Sequence, residues 1–244
     1  MEFLRAATGE AATSLAVLNR EDDAMAPRER ALARMATTLT AQPWALTSAE
    51  PADVRRQGFD QQQVEAAVGV ISMFNYFTRV ADASGIEFDY QSPLPAFKPD
   101  MRQDGVPRPG RSVASQPATA GRPQPAYSRL QAAWETWRSY LLESDQPLSR
   151  RRRRLLASVA AEEATDWEGA EALSDGGATQ PGDDLLIEFA RKLSLEPWRM
   201  EAENLEELRS SGLPEQAVLH AISVVAHQNA DSRLAIGLRA ARQA

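Results

Sequence analysis

An all-α protein that carries one helical unit twice is what this sequence predicts, and three observations predict it. No stretch alternates apolar and polar residues for long enough to form a half-buried strand, whereas apolar residues recur again and again at spacings of three and four. The second observation is a repeat. Ala36, Leu39, Pro43, Trp44, Arg55, Gly58, Gln62, Val64, Ala67, Val70, Asn75, Arg79 and Ala81 recur as Ala190, Leu193, Pro197, Trp198, Arg209, Gly212, Gln216, Val218, Ala221, Val224, Asn229, Arg233 and Ala235, always at 198 − 44 = 154, which is 13 identities in 47 ungapped positions. The third is size: 244 residues with 43% hydrophobic and 25% charged side chains suit two similar halves packed together.

Leu4, Ala7, Ala11 and Leu15 predict a helix within residues 1–26, weakened in the middle by Gly9. Pro27 sits where a first turn tolerates proline, and the stripe Leu32, Met35, Ala36, Leu39 ends before Pro43. A short helix is expected from the N-cap Ser48 to Gln57, with Gly58 as its stop. Asp60 and Gln63 have the spacing of a capping box, opening a long helix with Val64, Ala67, Val68, Ile71, Phe74 and Phe77 turned inward and Gly85 at its end.

Between residues 91 and 126 lie eight of the fifteen prolines, so this segment reads as a linker, with Leu94 and Phe97 as its expected anchors. Beyond it, Tyr127, Leu130, Trp134, Trp137 and Leu141 form one stripe expected in the core. Leu148 and Ser149 open the next helix, Gly176 and Gly177 break the chain, and the three-helix pattern recurs with Pro214 at the start of the last helix. The division is therefore residues 1–90, a linker at 91–126, and a second unit at 127–244.

A formal charge of −7 argues against sequence-independent nucleic-acid binding, which needs a basic surface. No apolar run reaches the length of a membrane span, and Met1–Arg5 lacks the start of a secretory signal, so the expected location is the cytoplasm. The chain has no cysteine, which removes disulfides, zinc–thiolate sites and thiol catalysis. Two histidines, His220 and His227, do not make a metal site by themselves, and no cofactor is expected.

The segments Leu186–Leu193, Pro197, Leu208-Arg209, Gly212-Leu213 and Val225-Ala226 through Asn229 and Arg233, and, in the first copy, Phe74-Asn75, Arg79-Val80-Ala81-Asp82 and Gly85-Ile86-Glu87, form an ordered set of phrases. They resemble the alkylhydroperoxidase-D-like superfamily, which also holds the carboxymuconolactone decarboxylases and the peroxidase-related proteins. The resemblance implies a helical unit that pairs or trimerises, with Cys-x-x-Cys and then a histidine on one helix and a glutamate one helix earlier. In the helix that begins at Leu148, those cysteines fall at Asp166 and Gly169, the histidine at Leu173, and the glutamates at Arg152 and Arg154. In the first copy, Met1–Arg5 is similar to the segment that normally comes after the histidine, and the motif helix is missing.

Candidate chemistry is otherwise sparse. His227, with Glu163 or Asp166 as partner, could act as a general acid or base, and equally could be a hydrogen-bonded core histidine. The run Arg150–Arg154, of which Arg150, Arg152 and Arg154 are the candidate anion binders, either finds a counter-charge from this chain, from a homo-oligomeric mate offering Glu162, Glu163 and Asp166, or from a small-molecule ligand, or is a solvated helix start without one. Asn75 with Arg79, and Asn229 with Arg233, could bind substrate or tie helix ends to neighbouring backbone. These residues suggest an alkylhydroperoxidase-D-like protein that has lost its peroxidase thiols and acts in binding or assembly; the alternative is a thiol-independent acid/base enzyme (decarboxylation, isomerisation or cyclisation) with a pocket near His227.

Without a thiolate there is no sulfenate and no resolving disulfide. The purified protein is expected to show no hydroperoxide turnover with dithiol reductants; turnover above a heat-inactivated control would refute this.

Overall fold

The computed structural model describes residues 15–16, 21–86, 106–110, 122–123, 128–174 and 176–244. Among the described residues there are nine α-helices and no strand: α1 (Pro27–Ala41), α2 (Ala49–Arg56), α3 (Gln61–Ser84), α4 (Ser128–Glu143), α5 (Arg150–Glu163), α6 (Trp167–Leu173), α7 (Asp183–Leu195), α8 (Ala202–Ser210) and α9 (Glu215–Arg242). None is long and apolar enough to cross a membrane. The helix expected before residue 15, the anchors Leu94 and Phe97, and Tyr127 lie outside the described residues.

Local chemistry starts and stops the helices much as the sequence predicts. The Asp60 carboxylate accepts from the Gln63 amide (2.7 Å) and the Gln63 side chain accepts from the Asp60 amide (2.9 Å), closing the capping box of α3. Gly85 ends that helix with φ 64°, and Gly58 and Gly212 hold matching left-handed turns at 91° and 93°. Ser48 makes no cap bond; the hydroxyl of Thr47 accepts from Ala49, and Glu50 accepts from the Thr47 amide. Pro214 is the residue before α9 rather than its first, since its extended backbone precedes the helix.

The elements α1, Pro43–Ala45, α2 and α3 recur in the same order as α7, Pro197–Arg199, α8 and α9. The two long helices, α3 and α9, pack against each other along much of their length. Each of them also completes the other segment's core. Leu234, Leu238 and Ala241 of α9 pack with Met35, Leu39, Val54 and Val64, while Ala83 of α3 packs with Leu186, Leu193 and Ile222. The crossing is close enough that a Cβ at Gly237 would run into Val68 and meet Leu39 at 3.0 Å.

The inner face of α3 is Val64, Val68, Ser72, Asn75, Arg79 and Ala83. Burying three polar residues there turns Phe74 and Phe77 outward, where they are 51% and 55% exposed, against the expectation that both face the core. In α4 the stripe is likewise only partly core: Leu141 is buried and Trp134 half-buried, while Trp137 and Leu130 are exposed.

Those buried polar residues are paired. Arg79 donates to the Asn75 side-chain oxygen (2.8 Å) and to the Ser194 carbonyl (2.9 Å); Arg233 donates to the Asn229 side-chain oxygen (2.8 Å) and to the Thr40 carbonyl (2.8 Å). Asn75 donates to the Thr40 hydroxyl and Asn229 to the Ser194 hydroxyl. Thr40 and Ser194 lie in the last turns of α1 and α7, whose carbonyls lack helical partners, so each arginine satisfies the helix end of the opposite segment. Burial holds the Arg79 pKa down to about 10 and also holds that of Arg233 well below its usual value, with the nearby Arg79 charge adding to the effect. Asn75→Ala and Asn229→Ala each remove a bond to a buried cation and should each destabilise the fold by about 2–3 kcal/mol. Urea denaturation reads this, and a loss below half a kilocalorie at both sites would assign these residues little weight.

Candidate functional site

The chemistry-bearing residues gather where α4, α6 and the second half of α9 meet, with one side chain arriving from the proline-rich segment. Asp166 caps α6, its carboxylate accepting from the Gly169 amide (3.1 Å). The same carboxylate accepts from Arg122 (2.7 and 3.2 Å) and from the Ser232 hydroxyl (2.7 Å). Arg122 also reaches Asp231 (2.8 Å), whose other oxygen accepts from the Trp134 indole (3.0 Å). One guanidinium thus holds two buried carboxylates. Gly169 is required by this closeness, because a Cβ there would collide with the Asp166 carboxylate and meet Arg122 at 2.9 Å.

His227, one turn before Asp231, is 1% exposed and lies under the Trp134 ring at a centroid distance of 4.6 Å and a tilt of 26°. Neither of its ring nitrogens has a hydrogen-bond partner among the described residues. Burial pushes its pKa down to about 4; Asp231 pulls the other way, while Arg138 and Arg122 add to the depression. Burial raises the Asp231 pKa, but Arg122, His227 and the indole outweigh it and leave the carboxyl below its usual range. The site therefore holds a neutral imidazole beside two carboxylates that share one guanidinium.

Of the three residues the sequence nominates for acid/base work, the structure links His227 and Asp166 through Trp134, Asp231 and Arg122. Glu163 is engaged elsewhere, with Arg108 and with Arg191 (3.3 Å). The arginine run finds its counter-charges within the chain. Arg150 pairs with Glu143, Arg151 with Asp183 (2.7 Å), Arg152 with Asp183 (3.6 Å), and Arg154 with Glu143 and the Ala172 carbonyl. Arg153, fully buried, donates to the carbonyls of Leu141, Gln146 and Leu148, two of them past the end of α4. Of the acids expected from a mate, Glu162, Glu163 and Asp166, the last two are held by arginines of their own chain.

Two grooves lie elsewhere on the surface: one of about 100 Å³ beside Phe189, Lys192 and Asn204, and an open one of about 520 Å³ beside Arg55 and Phe59. Neither is lined by His227, Glu163 or Asp166. No group of three or more histidine, aspartate and glutamate side chains suited to a metal ion occurs among the described residues. Comparisons with protein families, with curated proteins and with solved structures find no match to this chain.

Sequence reasoning missed Arg122, Trp134, Asp231 and Ser232 as members of the site. A signal for one of the four, Asp231, was present. At the constant offset of 154, Met73, Phe74, Phe77 and Thr78 correspond to His227, Gln228, Asp231 and Ser232, so the second segment turns polar where the first is largely apolar. Arg122 carries no such mark.

A histidine that is neutral when folded, with a pKa near 4 instead of 6.5, binds fewer protons than in the unfolded chain. Its contribution is complete above about pH 6.5 and is lost as pH falls towards 4, on the order of 3 kcal/mol in total. His227→Met, the residue at the corresponding position 73, should flatten that part of the decline. Denaturation of both proteins at pH 7 and pH 4 isolates the difference, and parallel declines would show that His227 does not cause it.

Proposed function

We propose that this chain is an alkylhydroperoxidase-D-like protein built of two duplicated units, without peroxidase thiols, that works in non-redox binding or assembly. The recurring element order and the reciprocal Asn–Arg bonds support the duplication. The observation that carries the functional part is the state of the candidate site. Its carboxylates accept from Arg122, Ser232, Trp134 and a helix N-terminus, and the imidazole is buried under an indole, so among the described residues its titratable groups are bonded or buried. Where the family pattern places its cysteines, Asp166 and Gly169 provide instead an anchor and the space for Arg122. One observation favours the acid/base enzyme as a second reading: the two unpartnered nitrogens of His227, which a small polar substrate entering beside Trp134 would satisfy.

Assembly has a surface to use. Val70, Phe74 and Phe77, spaced over two turns of α3, are 57%, 51% and 55% exposed, while their counterparts Val224, Gln228 and Asp231 are buried in the second segment. Between Glu65 and Asp82 the sole charged residue of α3 is the inward-facing Arg79. A second copy of this chain is the occupant that fits. Two molecules of charge −7 meet at least electrostatic cost through a face that carries no charge, and a two-fold contact sets the same apolar stripe against itself. With the arginine run paired internally, such a dimer owes nothing to charge and should be insensitive to salt. Light scattering at micromolar concentration is expected to give a dimer at low and high ionic strength, and Phe74→Glu with Phe77→Glu a monomer of unchanged helicity. A wild-type monomer under both conditions overturns the assembly reading.

A further inference from the structure

One charged contact of the second segment is missing from the first, and among the described residues its loss leaves an arginine without a side-chain partner. In the second segment Arg209 of α8 grips Glu215 at the start of α9 through two bonds, Nε to Oε2 (2.6 Å) and Nη2 to Oε1 (3.0 Å), with Glu206 3.6 Å away. Arg55 occupies the corresponding place on α2. The positions corresponding to Glu206 and Glu215 are Ala52 and Gln61, since 206 − 154 = 52 and 215 − 154 = 61. Gln61 is turned to other partners, its amide nitrogen donating to Glu65 (3.2 Å) and to the Ala241 carbonyl (3.0 Å), and as a neutral amide it supplies no carboxylate. Exposed Arg55 has no side-chain partner among the described residues, although the arginine at the matching position holds a carboxylate bidentately.

Where that carboxylate is missing lies the open groove of about 520 Å³, lined by Ala52, Arg55, Arg56, Phe59, Asp60, Gln61 and Ala244. Its volume is in the range of small-ligand clefts. Phe59 supplies an apolar wall, and the Arg28 guanidinium lies over that ring at 4.1 Å, bringing another cation to the same place. Of the two acids nearby, Asp53 pairs with Arg56 (3.1 Å), and Asp60, which lines the groove, caps α3.

We propose that this groove is a carboxylate-binding site, in which Arg55 takes the ligand's carboxylate with the two-bond geometry that Arg209 uses on Glu215, and Phe59 packs against the ligand's apolar body. The chemistry is shared by a free organic acid and by an acidic side chain, and the two differ in how much apolar body is attached to the carboxylate. The inference uses the position-for-position correspondence of the segments and does not depend on the dimer or on any enzymatic role.

The test is a titration of the whole ¹⁵N-labelled protein with benzoate and, separately, with N-acetylglutamate amide, following the Arg55 Nε–Hε signal. Saturable shifts with either probe are expected. Tighter binding of benzoate would identify a free acid with an apolar body as the better ligand, and equal binding would identify the carboxylate alone as sufficient; both support the site. Arg55→Gln should weaken binding by about tenfold or more. Gln61→Glu supplies an internal carboxylate and should weaken binding as much while leaving the fold intact, whereas Arg209→Gln should leave it unchanged. No saturable shift with either probe, or undiminished binding in Gln61→Glu, overturns the proposal.

Discussion

Two arginines that exchange places hold this molecule together. Arg79 reaches the end of α7 and Arg233 the end of α1, so each long helix carries a cation into the half it does not belong to. Burying two like charges at one helix crossing is costly, and their depressed pKa values register that cost. The arrangement survives because the acceptors are the orphan carbonyls of helix C-termini, where the macrodipole favours a cation, and because an asparagine one turn away fixes each guanidinium. Apolar replacements would satisfy the burial but leave those carbonyls bare.

This polar seam decides what the outer faces of α3 and α9 can be. With Ser72, Asn75 and Arg79 inside, Phe74 and Phe77 point outward, and the same rotation on α9 presents Gln228 and Asp231. The second segment covers that face with α4 and α5 and with Arg122, converting it into a closed ion-pair network. The first has no such cover among the described residues, so the same geometry yields an apolar surface. Asn75 and Arg79, identical to Asn229 and Arg233, thus serve the seam, while Phe74 and Phe77, which differ from Gln228 and Asp231, serve the outside.

Much of the fold was legible in the sequence because its determinants are local. The capping box at Asp60, the glycines at 58, 85 and 212 and the 3.6-residue periodicity each act within a turn or two of themselves. The inward face of α3 was not legible, because choosing Asn75 and Arg79 over Phe74 and Phe77 depends on carbonyl acceptors in another segment. The candidate site was half legible: His227 and Asp166 stand out by type, and Asp231 could have been found by comparing it with Phe77. Arg122 could not, since in a proline-rich stretch no periodicity says which side chain will meet a carboxylate 44 residues on.

The shared cores also carry a temporal consequence. During synthesis α3 leaves the ribosome long before α9, yet Met35, Leu39 and Val64 are closed by Leu234 and Leu238 of that later helix. At roughly 5–20 residues per second, the intervening 154 residues take on the order of ten to thirty seconds to make. For that interval the nascent first half is an open sandwich with its apolar filling in contact with water or a chaperone. The emergence of α9 therefore sets the moment at which either half becomes folded.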